Sequence, residues 1–105
     1  MNQEMSERLR EISARLKKEY HAEKIILYGS YARGEGTEDS DVDILVIAHT
    51  HERMIDRMAS VSRIIRDLRN GLPISPIVLT PEEFRQKIEI EDAFIQAIIE
   101  EGIVL

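Results

Sequence analysis

The sequence predicts a small α/β or α+β protein, in which helices pack against a β-sheet. Segments with helical periodicity and short apolar runs alternate along the chain in the order α-β-β-α-β-α-α. The chain has 105 residues, of which 43% are apolar and 32% are charged, as in an ordinary globular protein with one modest core. We therefore expect a single domain over residues 1–105.

The first helix is predicted from Asn2 to Tyr20. Its apolar residues recur at helical spacing, so they share one face, on which the small Ser13 is tolerated. The residues of this stripe are Met5, Leu9, Ile12, Leu16 and Tyr20.

Two strands should follow the first helix. Lys24–Tyr28 is a short, largely apolar run that ends at Gly29-Ser30. A second strand begins near Asp41 and continues through the apolar run Ile44–Ile47.

A second long helix is predicted from about His51 to Arg69, with Thr50 as its N-cap. Asn70-Gly71 is a strong signal for its end. The expected apolar stripe comprises Met54, Met58, Val61, Ile65 and Leu68.

The last third of the chain should contain a strand and two helices. The strand lies within residues 72–79, and Pro76 places that position at an edge, an end or a bulge, because proline has no N–H to donate. Thr80 begins the next helix as N-cap, with Pro81 at N1 and Glu83 at N3. The final helix spans about Glu91 to Glu101, and residues 103–105 add a strand or simply pack. Its residues expected to face inward are Phe94, Ala97 and Ile98.

The stretch from Gly29 to Val46 carries the candidate chemistry. Asp41 and Asp43 should project from one face of the second strand, because successive side chains alternate. Two neighbouring carboxylates repel each other, and a divalent cation such as Mg²⁺ or Mn²⁺ relieves that repulsion. Gly29 permits a sharp turn, and Ser30 adds a hydroxyl. A short helix beginning at residues 31–33 would then present N–H groups to a phosphate.

Two side chains of this loop allow alternative interpretations. Arg33 either binds phosphate or pairs with Asp41 or Asp43. Tyr31 is either a modification acceptor or a packed aromatic residue, and packing is favoured. Gly29-Ser30 and Asp41/Asp43 could also be an ordinary turn and an acidic loop, but their combination between two strands favours a site.

Composition excludes several classes of protein. The chain has no cysteine, so it has neither a disulfide framework nor a thiolate zinc site. No apolar run approaches the length of a membrane span, and the N-terminus does not resemble a signal peptide, so we expect a cytoplasmic protein. The net charge of −6 argues against a broad nucleic-acid-binding surface.

The spacing of the motif resembles that of a known superfamily. Gly29-Ser30, ten further residues and Asp41-Val42-Asp43 are similar to the signature of the nucleotidyltransferases that include DNA polymerase beta. The run GSYARG, the segment LPISPIVLTPEEF and the ending IIEEGIVL resemble the minimal nucleotidyltransferases of bacteria and archaea. The similarity extends over most of the chain.

The resemblance implies a mixed sheet with helices mainly on one face and a Mg²⁺-dependent enzyme. That enzyme transfers a nucleoside monophosphate, AMP from ATP in particular, to an acceptor hydroxyl. It implies that Gly29 and Ser30 hold the triphosphate and that Asp41 and Asp43 hold the metals. The family's third carboxylate falls at Ser75, a neutral residue, so we expect slow or partner-dependent catalysis. Asp39 is the nearest acidic residue in sequence that could replace it.

The resemblance also implies an alternative of a different class. Small nucleotidyltransferases often act as antitoxins beside a helical HEPN-domain toxin, one of whose tyrosines is the acceptor. A chain of this size has no room for an acceptor-binding domain, so we expect a separate HEPN-type partner or a homo-oligomer.

Overall fold

The computed structural model describes residues 2–105, in which four strands and five helices form a mixed α/β structure. The strands are β1 (Ala22–Tyr28), β2 (Val42–Ala48), β3 (Ile74–Leu79) and β4 (Ile103–Val104). The helices are α1 (Gln3–Glu19), α2 (Met54–Ile64), α3 (Arg66–Arg69), α4 (Pro81–Glu89) and α5 (Ala93–Glu101). No helix within residues 2–105 is long and apolar enough to cross a membrane.

The strands form one sheet in the order β3-β2-β1-β4. β1 pairs antiparallel with β2 and with β4, whereas β2 and β3 run parallel, so the sheet is mixed as expected. The parallel pair is joined by the crossover through α2 and α3. β3 lies at the edge of the sheet, which explains how Pro76 is accommodated inside it. The last residues form β4, which settles the alternative left open for this segment.

The two faces of the sheet carry separate apolar clusters. The larger cluster packs α1, α2 and the start of α3 against one face, and it includes Val42, Ile44 and Val46 of β2. α5 and part of α4 cover the opposite face, where Leu45 and Ile47 point. The helices therefore lie mainly on one face, with a smaller layer on the other. Asp43 alternates with Val42 and Ile44, so it belongs to the face of α4 and α5.

Local signals predicted several elements correctly. α1 is capped by the Asn2 side chain, and Leu9, Ile12 and Leu16 of its stripe are fully buried. α4 has the expected capping box between Thr80 and Glu83.

The predicted second helix is wrong in its start and its continuity. α2 begins after Arg53, while the Thr50 hydroxyl accepts the N–H of Glu52 in a turn before the helix. The helix also ends at Ile64, and Ile65 separates it from α3. Asn70 adopts a left-handed conformation and ends α3 as predicted.

Two inward faces differ from the prediction. Met54 and Met58 are about half exposed, and only the C-terminal part of the α2 stripe reaches the core. In α5 the buried residues are Ile95 and Ile98, whereas Ala97, also predicted to face inward, is exposed. Phe94 is half exposed and touches Tyr28 edge to face, with the ring centroids 5.6 Å apart. A short helix with many apolar residues has no clear stripe, so tertiary packing decides which of them are buried.

Candidate functional site

The candidate site lies where the C-terminal end of β1 meets the N-terminal ends of β2 and β3. Tyr28 of β1 pairs with Asp43 of β2, and Asp43 pairs with Ser75 of β3. The sheet therefore brings the Gly29 turn, Asp43 and Ser75 together from separate segments of the chain. Asp41, the other member of the acidic pair, lies just before β2 and not within the strand as predicted.

The Gly29 backbone lies directly beside the Asp43 carboxylate. Gly29 has φ +77°, and a Cβ atom added there would overlap the Asp43 side chain. Only glycine satisfies both the left-handed backbone and this close approach. The turn therefore opens toward Asp43, as the sequence predicted.

The backbone after Gly29 forms a single turn and does not continue as a helix, so the predicted short helix at residues 31–33 is wrong. The N–H of Arg33 donates to the Gly29 carbonyl at 3.1 Å, and that of Glu35 donates to the Ser30 carbonyl at 2.8 Å. Gly34, which also has a positive φ, ends the turn. Within residues 2–105, the backbone N–H groups of Ser30, Tyr31 and Ala32 donate to no acceptor. Three successive free N–H groups suit an anion even without a full helix.

Tyr31 closes the rest of the loop. Its ring packs against the larger core and covers Gly36, where a Cβ atom would overlap it. The Tyr31 hydroxyl donates to the Thr37 carbonyl at 2.6 Å. The structure therefore gives Tyr31 the packing role that the sequence favoured.

Asp41 and Asp43 form the acidic pair of the site, and their charges influence each other. Burial raises the pKa of Asp43, the nearby Asp41 charge raises it further, and Arg33 opposes both effects. Burial, together with the Asp43 charge, raises the pKa of Tyr28 to about 12, so its phenol stays neutral. The positive charge of Arg33 therefore offsets only part of what disfavours two ionised carboxylates at Asp41 and Asp43.

The donor set fits one divalent cation better than two. Asp41 and Asp43 can provide two carboxylates, and Mg²⁺ in nucleotide sites commonly takes one or two carboxylates together with phosphate oxygens and water. Ser75 lies beside Asp43 on the same face and offers only a neutral hydroxyl. In the part of the chain that the structure describes, no three acidic or histidine side chains converge as a metal site, so Asp39 does not complete one.

Arg33 does not make the direct pair with Asp41 or Asp43 that one interpretation expected. Its guanidinium bonds to Glu35 at 3.1 Å and to Glu101 at 3.2 Å. Glu101 also accepts the Gly29 N–H at 3.2 Å.

Sequence reasoning missed Glu101, which lies 72 positions after Gly29. The antiparallel pairing of β4 with β1 brings it there, because Ile103 faces Leu27. A prediction of that register could have placed the end of α5 beside the turn.

Comparisons with known proteins identify the family. Residues 9–105 match the family model described as "Nucleotidyltransferase domain". A "Putative protein adenylyltransferase" of Methanocaldococcus jannaschii is 38% identical over 108 residues, covering 100% of this chain and 99% of that protein. Another protein of that name from the same organism is 47% identical over 66 residues, covering 60% of this chain and 45% of that one.

A solved structure agrees with the sequence comparisons. The crystal structure of a "putative nucleotidyltransferase" from Sulfolobus solfataricus superposes with a TM-score of 0.62 at 25% identity. It covers 93% of this chain and 76% of that one. This chain belongs to the nucleotidyltransferase domain family.

Proposed function

We propose that the protein transfers AMP from ATP to a hydroxyl group of a protein, through a site formed by Gly29, Ser30, Arg33, Asp41 and Asp43. The observation that carries this proposal is the contact between the Gly29 turn and the Asp43 carboxylate. It sets an anion-binding backbone directly against a residue that favours a cation. A metal-bound triphosphate supplies both partners.

Each residue has a role that follows from its position. The free N–H groups of Ser30, Tyr31 and Ala32 would bind the phosphate oxygens, and the Ser30 hydroxyl would add a further donor. Asp41 and Asp43 would hold Mg²⁺ or Mn²⁺. When bound, this ion neutralises charge on the triphosphate and on the departing pyrophosphate.

The reaction is a displacement at the α-phosphorus of ATP. The acceptor oxygen forms a bond to the α-phosphorus and releases its proton. The bond from the α-phosphorus to the oxygen that bridges to the β-phosphate breaks, and pyrophosphate leaves. The names of the Methanocaldococcus relatives support adenylyl transfer to a protein as the form of this reaction.

A second candidate is a nucleotide-binding module that pairs with another protein, such as a HEPN-type toxin. Two observations favour it. Ser75 takes the place beside Asp43 where a catalyst would carry a third carboxylate. Large apolar side chains are also exposed along the C-terminal segment that contains α4, α5 and β4. They are Ile88, Ile90, Phe94, Ile99, Ile103 and Val104.

Isothermal titration with ATP, in Mg²⁺ and in EDTA, tests the site. We expect binding in Mg²⁺ only, and we expect Asp43→Asn to weaken it by roughly ten-fold or more, because a direct ligand is lost. Glu38→Gln is the matched control, since it makes the same charge change at an exposed position of the same loop. Equal affinity with and without Mg²⁺, or full binding by Asp43→Asn, would contradict the site.

Release of pyrophosphate and labelling of protein by ATP labelled at the α-phosphate separate the two candidates. An adenylyltransferase gives both signals, and Asp43→Asn removes them. The binding module gives metal-dependent ATP binding without either signal.

A further inference from the structure

Glu101 places a negative charge of the chain itself on two donors at the Gly29 turn, the Gly29 N–H and the Arg33 guanidinium. Its Oε1 accepts the Gly29 N–H at 3.2 Å. Its two carboxylate oxygens also accept from Nη1 of Arg33, at 3.4 and 3.2 Å. Charge-assisted bonds of this kind are also those by which such donors bind phosphate.

We propose that Glu101 is an internal competitor for the triphosphate and sets the nucleotide affinity of the site. This inference rests on the proposed function, because it assigns Glu101 a role in the same site. Glu101 leaves the turn when the triphosphate binds, and Arg33 is then free to turn toward the phosphates. Two anions cannot share these donors without strong repulsion.

The structure allows the Glu101 side chain to leave without moving its helix. Gly102 fixes the end of α5, because its N–H donates to the Ile98 carbonyl at 2.7 Å. A Cβ atom at Gly102 would overlap Ile26 and that carbonyl, so the backbone there is tightly packed. The Glu101 side chain is 27% exposed and can rotate toward solvent.

Glu101 and the proposed metal ligands approach Gly29 from different sides. It approaches Gly29 from the side of β4, whereas Asp43 and Ser75 lie on β2 and β3. Within residues 2–105 no third acidic side chain converges with Asp41 and Asp43, so we assign Glu101 to the phosphate end of the site and not to the place of the missing third carboxylate.

Glu35 provides the matched control. It bonds to the other edge of the Arg33 guanidinium at 3.1 Å, through Nε, and its side chain is 67% exposed. It makes no bond to the Gly29 N–H. Removal of the Glu35 charge therefore changes the surroundings of Arg33 but leaves the hydrogen bond between Glu101 and the Gly29 N–H in place.

The experiment compares Glu101→Gln with Glu35→Gln by titration with MgATP and with magnesium tripolyphosphate. Glutamine keeps an acceptor for the Gly29 N–H and removes the charge, and thermal unfolding verifies that each variant is folded. Because partly exposed ion pairs are weak, we expect Glu101→Gln to bind both ligands roughly three- to five-fold more tightly. Glu35→Gln should change the affinity less than about two-fold.

Tripolyphosphate and the Arg33→Ala background make the test specific. Competition at the phosphate end predicts the same gain for tripolyphosphate as for ATP, which a general loosening of the fold would not produce. In Arg33→Ala the gain from Glu101→Gln should shrink, because one of the contested donors is gone.

The outcomes distinguish this inference from the proposed function. If wild type binds MgATP and both Glu101→Gln and Glu101→Ala bind no more tightly, the competitor role is overturned and the nucleotide site stands. If no variant binds MgATP or tripolyphosphate, both proposals fail.

Discussion

Two carboxylates beside β3, Glu83 and Asp43, have opposite electrostatic environments. Nη1 of Arg57 donates to Oε1 of Glu83 at 2.6 Å, and this hydrogen bond lowers the pKa of Glu83. Asp43 is partly buried beside Asp41, and burial followed by the Asp41 charge raises its pKa. Asp43 lies near the N-terminal end of the parallel β2–β3 pair, whereas Glu83 lies in α4, which follows the C-terminal end of β3.

The difference shows which charges serve the fold. Arg57 is only 7% exposed, and it also donates to the backbone carbonyls of Glu52 and Val78. Arg57 thereby links α2 to β3 and α4, and each of its three guanidinium nitrogens donates to an acceptor of the protein. Within residues 2–105 Asp43 has no comparable hydrogen-bonded cation, and the neighbouring Asp41 charge makes its ionised form less favourable.

The largest expected effect comes from removing Arg57, the hydrogen-bond partner of Glu83. Arg57→Met should lower the free energy of unfolding by about 3 kcal/mol, because it leaves buried carbonyls and Glu83 without their donor. Arg53→Met is the matched control, since Arg53 pairs with Asp56 at 3.2 Å but is 76% exposed. We expect that control to change stability by less than about 0.5 kcal/mol. Urea unfolding measures the free energy of unfolding of both variants. Equal losses of stability would show that the buried contacts of Arg57 contribute no more than an exposed ion pair.

The next effect concerns the Gly29 turn. Gly29→Ala should lower the free energy of unfolding by about 2 kcal/mol, from left-handed backbone strain and from overlap with Asp43. Gly34 has the same φ of +77° with no atom near its missing Cβ, so Gly34→Ala isolates the strain, at about 1 kcal/mol. Chemical denaturation of both variants checks this. A Gly34→Ala variant as unstable as Gly29→Ala would show that the contact with Asp43 contributes nothing.

The third effect depends on pH. The pKa of Glu83 is lowered in the folded protein, so its stabilisation is complete above its ordinary pKa of about 4.5. That stabilisation is lost as the pH falls through the lowered value. Glu83→Gln should therefore lower the free energy of unfolding by about 1 kcal/mol at pH 7, a difference that narrows toward pH 3. Glu82→Gln makes the same charge change at an exposed neighbouring position and should show neither effect. If the free energies of unfolding of Glu83→Gln and wild type differ by the same amount at all pH values, the Arg57–Glu83 ion pair does not cause the difference.

Sequence predicts best what neighbouring residues decide. The stripe of α1 and the capping box at Thr80 each depend on a few adjacent residues, and the structure confirms them. Of the three positions predicted for Pro76, an edge, an end or a bulge, the structure has the edge. The apposition of Gly29 and Asp43 was also predictable, because a strand period and a glycine turn imply it. The functional roles of these two residues stay predictions.

Contacts between distant segments were beyond this reasoning. Arg57 occupies a polar position of a helical pattern, and only the packing of α2 on β3 buries it. Glu101 reaches Gly29 through the pairing of a two-residue strand. A strand so short has too few residues for its register to be read from an alternating pattern.

The smallest expected effect on stability concerns Ser75, which the register places beside Asp43. Ser75→Asp adds a third carboxylate about 5 Å away on the neighbouring strand, and its repulsion should lower stability in EDTA by about 0.5 kcal/mol. Mg²⁺ should restore that loss, because the ion gains an anionic ligand. Ser75→Asn supplies a side chain of the same shape without the charge, so it should respond to Mg²⁺ no more than wild type.

Thermal unfolding in EDTA and in Mg²⁺ checks the metal response, and transfer of labelled AMP checks its catalytic consequence. Ser75→Asp should raise the rate of transfer, because a second metal held there would lower the pKa of an attacking hydroxyl. If the unaltered protein already transfers AMP rapidly and Ser75→Asp leaves the rate unchanged or lowers it, another group completes the site. A partner chain is then the first place to look, because no third acidic or histidine side chain joins the pair within residues 2–105.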